Sequence, residues 1–422
     1  VGGLIQAKMR SPSAKMGGLA DFTFGGNNLE REFIRLDSGE IGHSGVRSHA
    51  SCSNTTASNW RGAGGLNRWH VDFKAEKKWG DGNSIAPFMS YNDVTENLYT
   101  YPTLTQWKQY GIGYNYSRKF TGSNTDYYKF RQYEWRHAHA SVQTHFNLGH
   151  ELEPTATPYV YDVDGTVNGG TSLSQAGSYF GSEPAGSLQF PEGTGDRAVA
   201  VSVDHFREST FGFNSALTWK HRHNELSLGY WYSYVNYTEN PSYSLVSSQG
   251  EPSNRWGKYP VLTQNGQPLL QWNAHVIQQL NAITLQDTYR AFHDRLIMSA
   301  GIKTVMMTRK ATNLIPGSTY ATGFSDFQPL PRVAISYQIT PHDQIYANGT
   351  TAFREAAAIT PSIDMFNVTS GKMPSQHAES VKPEFSIAEA LGYRHYGAVN
   401  FTLSLYNYNF TNRQVTRSQL VN

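Results

Sequence analysis

Apolar and polar residues alternate with a period of two from one end of the chain to the other. Val71, Phe73, Ala75 and Trp79 share one face of a run, and Asp72, Lys74, Glu76 and Lys78 share the other. Phe211, Phe213, Leu217 and Trp219 oppose Gly212, Asn214, Thr218 and Lys220. The same holds for Val333, Ile335, Tyr337 and Ile339 against Arg332, Ser336 and Gln338, and for Val399, Phe401, Leu403 and Leu405 against Asn400, Thr402 and Ser404. Successive side chains of a strand point to opposite sides, so each run reads as a strand with one apolar face. The pattern predicts strands at 17–25, 30–38, 45–56, 67–79, 84–97, 137–149, 154–164, 206–221, 225–238, 272–290, 295–309, 327–339, 343–354, 384–395 and 399–412. In 272–290, Trp272, Val276 and Leu280 also fit a helical stripe, and the Ala-rich 352–358 reads as a short helix in a loop.

The connections alternate between short and long. Gly80–Asn83, His150-Glu151, His221–Asn224, His293-Asp294, Pro341–Asp343 and Tyr396-Gly397 have turn chemistry. The segments 98–136, 165–205, 239–270, 310–325 and 355–383 are long and rich in Gly, Ser, Asn, Pro and aromatics. Short turns on one rim and long loops on the other define an up-and-down β-barrel. About fifteen strands is an odd count, which does not close an ordinary single-chain bacterial barrel and points to further strands. Val1 opens directly into a strand-like run, without a secretory signal or an initiator Met, as in a fragment or a processed piece.

Composition narrows the class. The chain has 422 residues, 38% hydrophobic and 16% charged, against roughly 45–50% and 25% in soluble domains. Aromatics reach 13%, with 26 Tyr and 9 Trp. No window of about 18 apolar residues exists, which excludes a transmembrane helix but not a membrane barrel, whose strands hide their apolar face in an average. A net charge of +2 without a basic block gives no footprint for nucleic acid. The single cysteine, Cys52, excludes an internal disulfide framework.

No nucleophile elbow, zinc-protease motif, phosphate-binding loop or paired-cysteine cluster occurs, so no catalytic residue, cofactor or metal site is expected. His137/His139 and His221/His223 have metal-compatible spacing but read as wall and turn residues. Asp162/Asp164 could imitate glycosidase acids, yet they sit where a strand enters a Gly-rich loop, a place for solvation or calcium. The aromatics carry more information. Tyr230, Tyr232 and Tyr234 read as girdle or lipid-face residues. Tyr101, Trp107, Tyr110, Tyr127 and Trp135 crowd the segment 98–136 and are the candidate ligand contacts.

Several runs resemble TonB-dependent outer-membrane receptors. They are Leu330–Thr340 with Gln344–Ala347 and Phe353-Arg354, then Val381–Phe385 with Glu389–Arg394, then Tyr406–Arg413. Val1–Lys8 resembles the last strand of that family's plug domain. The resemblance marks Pro331, Arg332, Tyr337, Tyr346, Pro383, Glu384, Glu389, Gly392 and Asn412 as family-motif positions of structural weight. It implies an all-β, transmembrane antiparallel barrel of about 22 strands round a plug. Residues 1–16 would end the plug and 17–422 would form part of the barrel. The implied partners are outer-membrane lipid, the TonB energy-coupling complex and an extracellular ligand. The commonest ligand is a ferric siderophore; others are cobalamin, haem and oligosaccharides. A passive porin and a secreted carbohydrate-binding or hydrolytic β protein are the rival readings.

Overall fold

The computed structural model describes residues 9–318, 321–355, 365–372 and 382–413. Its strands are β1 (Met16–Gly25), β2 (Leu29–Glu40), β3 (Val46–Ser58), β4 (Gly65–Trp79), β5 (Asn83–Asn97), β6 (Gln132–His145), β7 (Leu152–Ser174), β8 (Tyr179–Phe180) and β9 (Glu183–Pro184). They continue as β10 (Arg197–His221), β11 (Asn224–Glu239), β12 (Ser242–Leu245), β13 (Ala274–Ala291), β14 (Leu296–Asn313), β15 (Ala321–Gln338), β16 (Asp343–Arg354), β17 (Glu384–His395) and β18 (Phe401–Thr411). One short helix, α1 (Leu104–Tyr110), lies between β5 and β6.

Apart from β8, β9 and β12, each strand pairs antiparallel with its chain neighbours, so the sheet is a single meander from β1 to β18. β12 extends the pairing along β10, and β8 with β9 makes a small separate hairpin. Every strand the alternation predicts is present. The segment 272–290 is strand β13; Trp272, Val276 and Leu280 are spaced by four, which is two strand repeats as well as about one helical turn. Ala352 belongs to β16, which ends at Arg354. Residues 356–358, and the plug-like Val1–Lys8, lie outside the described residues.

Directly opposed residues place the apolar face outside. One ladder runs Pro154, Leu217, Leu228, Leu285, Ile302 and Pro331 across six strands. Leu217, Leu228, Leu285 and Ile302 are all exposed although apolar. In lipid that exposure is favourable, and pairing on both sides satisfies the backbone of the strands between the two edges, β1 and β18, where no water can. Higher up, the outward ladder changes to Asp93, Arg136, Asp164 and Arg207, again directly opposed. Asp162 accepts from Ser209 Oγ at 2.6 Å and Asp164 meets His205 at 2.8 Å. The two aspartates are therefore part of a charged belt above the apolar band.

That belt explains where strand ends differ from expectation. β7 runs to Ser174 rather than 164, and β10 starts at Arg197 rather than 206. β6 starts at Gln132, β14 reaches Asn313, and β15 starts at Ala321, whereas at the short-turn rim β6 stops at His145 rather than 149. Above the apolar band neither face meets lipid, so pairing continues after the alternation stops. The loops shrink accordingly, to 98–131, 175–196 and 314–320 for the first, second and fourth.

The inner face is not uniformly polar. Leu280, Ala282, Val305 and Met307 form a buried cluster there, beneath Trp231, Phe324, Leu330 and Phe353. Two glycines admit tyrosine rings flat on the wall. A Cβ at Gly212 would overlap the Tyr159 ring, and one at Gly392 would overlap Tyr346. The freed hydroxyls are used: Trp231 Nε1 donates to Tyr159 at 3.0 Å, and Tyr346 bonds Ser404 at 2.6 Å.

The two faces predict opposite responses to charge. Leu285→Arg on the lipid side should lower unfolding stability by about 2–4 kcal/mol. Thr284→Arg, one residue away on the inner face, should stay within about 0.5 kcal/mol. Denaturant unfolding from lipid vesicles checks both.

Candidate functional site

The long loops do not hang free. Leu188, Val261, Leu269 and Val368, from three different loops, bury themselves against Leu173 and Ala200 on one face of the extended β7–β10 hairpin and against Tyr243 of β12. Trp272, Val276, Ile315 and Phe366 form a second core beside it. Backbone bonds tie the loops together: Tyr179 N donates to Val368 O, Gln189 N to Leu262 O and Ser182 N to Pro316 O. On the opposite face of the same hairpin, Tyr127 and Phe130 pack on Val201 and Val203. Above the membrane the hairpin is thus a small sheet covered on both sides, which is why long polar-looking segments keep a fixed shape.

The five candidate aromatics separate into three environments. Tyr127 is only 8% exposed and is a packing group of the loop core. Trp135 is not in a loop: it stands on β6, stacked on His137 at 5.5 Å and edge-on to Phe206 at 4.7 Å. Tyr101, Trp107 and Tyr110 are exposed on the outer part of the loop, in or beside α1. That helix starts with a capping box, Thr103 with Gln106, and buries none of its side chains. Tyr110 stacks on Tyr114 at 5.0 Å and 16°.

Beside α1 lies a feature that alternation could not show. The short loop 59–64 packs on the long loop through Trp60, 5.9 Å from the Tyr99 ring. The Arg61 guanidinium lies over both rings, at 5.2 Å and 5.3 Å. It donates to Thr100 O at 2.6 Å, and Asn115 Nδ2 donates to Arg61 O at 2.9 Å. The Arg61 Nε is buried with no partner among the described residues. A Trp-Arg-Gly run in a turn between two alternating segments was the available signal. The pair of rings and their cation form an open platform that can take a flat, anionic group.

The inner wall below carries more charge. Lys303 Nζ lies 4.7 Å over the Trp231 ring. Arg309 is buried on Gln278 and pairs with Glu355 at 3.4 Å. Above the charged belt, Tyr237 donates to Glu239 Oε2 at 2.5 Å. Burial pushes the nearby Asp204 carboxyl up to about 8, helped by the charge of Glu239. Burial also raises Glu239.

Seven of the nine family-motif positions stand on strands of the wall, and Pro383 and Asn412 lie just outside the ends of β17 and β18. Pro331 faces outward opposite Ile302, and Arg332 faces inward onto Gln286 Oε1. Tyr337 lies under Arg295, and Asn412 Nδ2 donates to Pro383 O at 3.3 Å. Glu384 is buried at the start of β17, whereas Glu389 faces outward and accepts from Asn407. Of the spaced histidines, His137 bonds Tyr161 and His139 packs on Phe88.

An up-and-down sheet with an apolar outer face, short turns on one rim and folded loops on the other is the wall of an outer-membrane β-barrel. The chain belongs to the TonB-dependent receptor-like β-barrel family, whose model matches residues 56–422. No curated protein sequence matches the chain. Among solved structures, the unliganded ferric citrate transporter FecA is similar with a TM-score of 0.65 and 14% identity, over 95% of this chain and 52% of that one. The ferric yersiniabactin uptake receptor FyuA from Yersinia pestis gives 0.64 and 12%, over 96% and 56%. The pyoverdine receptor FpvA from Pseudomonas aeruginosa, bound to pyoverdine, gives 0.63 and 12%, over 95% and 54%. The chain spans little more than half the length of these receptors.

The Asp204–Glu239 pair predicts a pH response. A carboxyl raised in the folded state binds its proton more tightly there than in the unfolded chain, so stability falls as pH rises from about 4 through about 8. Hydrogen exchange at β12, beside this pair, should therefore quicken over that range, and Asp204→Asn should flatten the dependence.

Proposed function

We propose that this chain is the wall and ligand platform of a TonB-dependent receptor that imports a ferric siderophore across the outer membrane. The ligand binds from outside and is carried inward by energy from the inner-membrane TonB complex, without chemistry on the ligand. The family is one of transport receptors, and the three structures named above are a ferric citrate transporter, a ferric yersiniabactin uptake receptor and a pyoverdine receptor.

The observation that carries the reading is the platform of exposed Trp60 and half-buried Tyr99 and Arg61 beside the Tyr110–Tyr114 stack. Ferric chelates built from catecholate or carboxylate donors are anionic, and many present planar π faces. Arg61 answers the charge and the rings answer the faces. A neutral sugar would use the rings but bring no charge to answer the guanidinium of Arg61.

Uptake of radiolabelled iron as siderophore complexes by the native cells tests this. Transport should require TonB and be competed by the cold chelate, not by oligosaccharide or cobalamin. Replacing both rings of the platform, Trp60→Ala with Tyr99→Ala, should weaken chelate binding by about tenfold. The pair Trp107→Ala with Tyr110→Ala should weaken it less than that, and Tyr127→Ala should loosen the loop instead of the ligand. TonB-independent uptake, or unchanged affinity in the platform variant, would contradict the reading.

A further inference from the structure

The lipid face is not smooth. Near the short-turn rim a groove of about 480 Å³ crosses β13 to β16, with Asp287, Tyr289, Ala300, Val333, Ala347 and Gly349 in its lining. Ala300, Ala347 and Gly349 leave a trough between larger side chains. A Cβ built on Gly349 would meet only Val333 Cγ2, at 3.6 Å.

The groove has two unlike ends. Asp287, Ala300, Val333 and Gly349 are directly opposed in one row. That row climbs away from the rim. Leu226, opposite Asp287, stands two residues inside the rim end of β11; Asp287 stands four inside that of β13, and Gly349 six inside that of β16. Asp287 therefore marks the end nearer the headgroups and Gly349 the end deeper in hydrocarbon. A carboxylate on a lipid face is costly unless something answers its charge. Asp287 Oδ2 accepts from Asn224 Nδ2 at 2.6 Å, a neutral donor. The nearest base on its own strand, Arg290, is turned to Glu225 on the inner face, at 3.8 Å. Among the described residues no cation pairs with Asp287.

We propose that this groove holds one phospholipid of the periplasmic leaflet whose headgroup carries a primary ammonium, phosphatidylethanolamine. Short turns mark the periplasmic rim of such barrels. One acyl chain lies along the trough towards Gly349, and the ammonium donates to the Asp287 carboxylate. Tyr289, next to it on the same face, is the interfacial aromatic of the site. Phosphatidylglycerol would fill the same trough but bring no cation to the carboxylate. The other outward carboxylate of the row, Glu389, lies on β17 outside the lining and accepts from Asn407 Nδ2 at 3.2 Å.

Native mass spectrometry of the detergent-solubilised protein, titrated with phosphatidylethanolamine or phosphatidylglycerol of identical chains, tests the site. One phosphatidylethanolamine should be held about tenfold more tightly than phosphatidylglycerol. Asp287→Asn should lower its binding to the phosphatidylglycerol level. Ala300→Leu with Ala347→Leu fills the trough on a face where apolar side chains suit the fold, and should weaken both lipids about tenfold. Glu389→Gln, and Ser215→Leu on the lipid face of β10, should do neither. Equal binding of the two lipids by the unaltered protein, or a preference that survives Asp287→Asn, would overturn the headgroup assignment. Lipid binding unchanged by the filled trough would overturn the site itself.

Discussion

The backbone's need for hydrogen-bond partners in lipid governs this molecule. Hydrocarbon offers no donor or acceptor, so each strand must find both neighbours within the sheet. A meander meets that demand with the least chain, because antiparallel neighbours join by tight turns. The left-handed residues Arg222 and Phe292 to Asp294 mark two such turns. Chain length left over from the short rim is spent on the other, where water relaxes the constraint and the loops fold on their own cores.

The consequence for function is a division between wall and platform. Outward residues such as Leu228 and Ile302 answer to lipid, and inner residues such as Lys303 and Arg309 to a polar interior. Neither face chooses a ligand by itself. On the proposed function recognition falls to the loops, and most of their aromatics are committed to packing. Phe130 is fully buried against Val201, and Trp272 is buried beside Phe366. What remains open to a ligand is concentrated round Trp60, Arg61, Tyr99 and α1, on a base made rigid by those cores.

The barrel wall was legible because a period of two is forced wherever one face meets lipid. Phe73, Leu217 and Ile335 gave strand positions and facing at once. Strand ends were less legible above the belt of Asp93, Arg136, Asp164 and Arg207, where pairing persists without alternation. Gly165 to Thr171 therefore reads as loop and folds as strand. Of the candidate aromatics, Tyr101, Trp107 and Tyr110 are exposed in the loop, whereas Tyr127 and Trp135 are packed. Arg61 could not be found from spacing, since its importance comes from two loops meeting across the distance between residues 61 and 100.

The central claim is that one face of this sheet touches lipid and the other does not. Spin labels placed singly along β13, from Asn281 to Thr288, in native-like membranes measure it directly through collisions with oxygen and with a water-soluble nickel chelate. The account predicts a period of two, with oxygen contact highest at Ile283 and Leu285 and low at Ala282 and Thr284. Uniform access of the aqueous reagent to both sets would contradict it, and would describe a sheet standing in water.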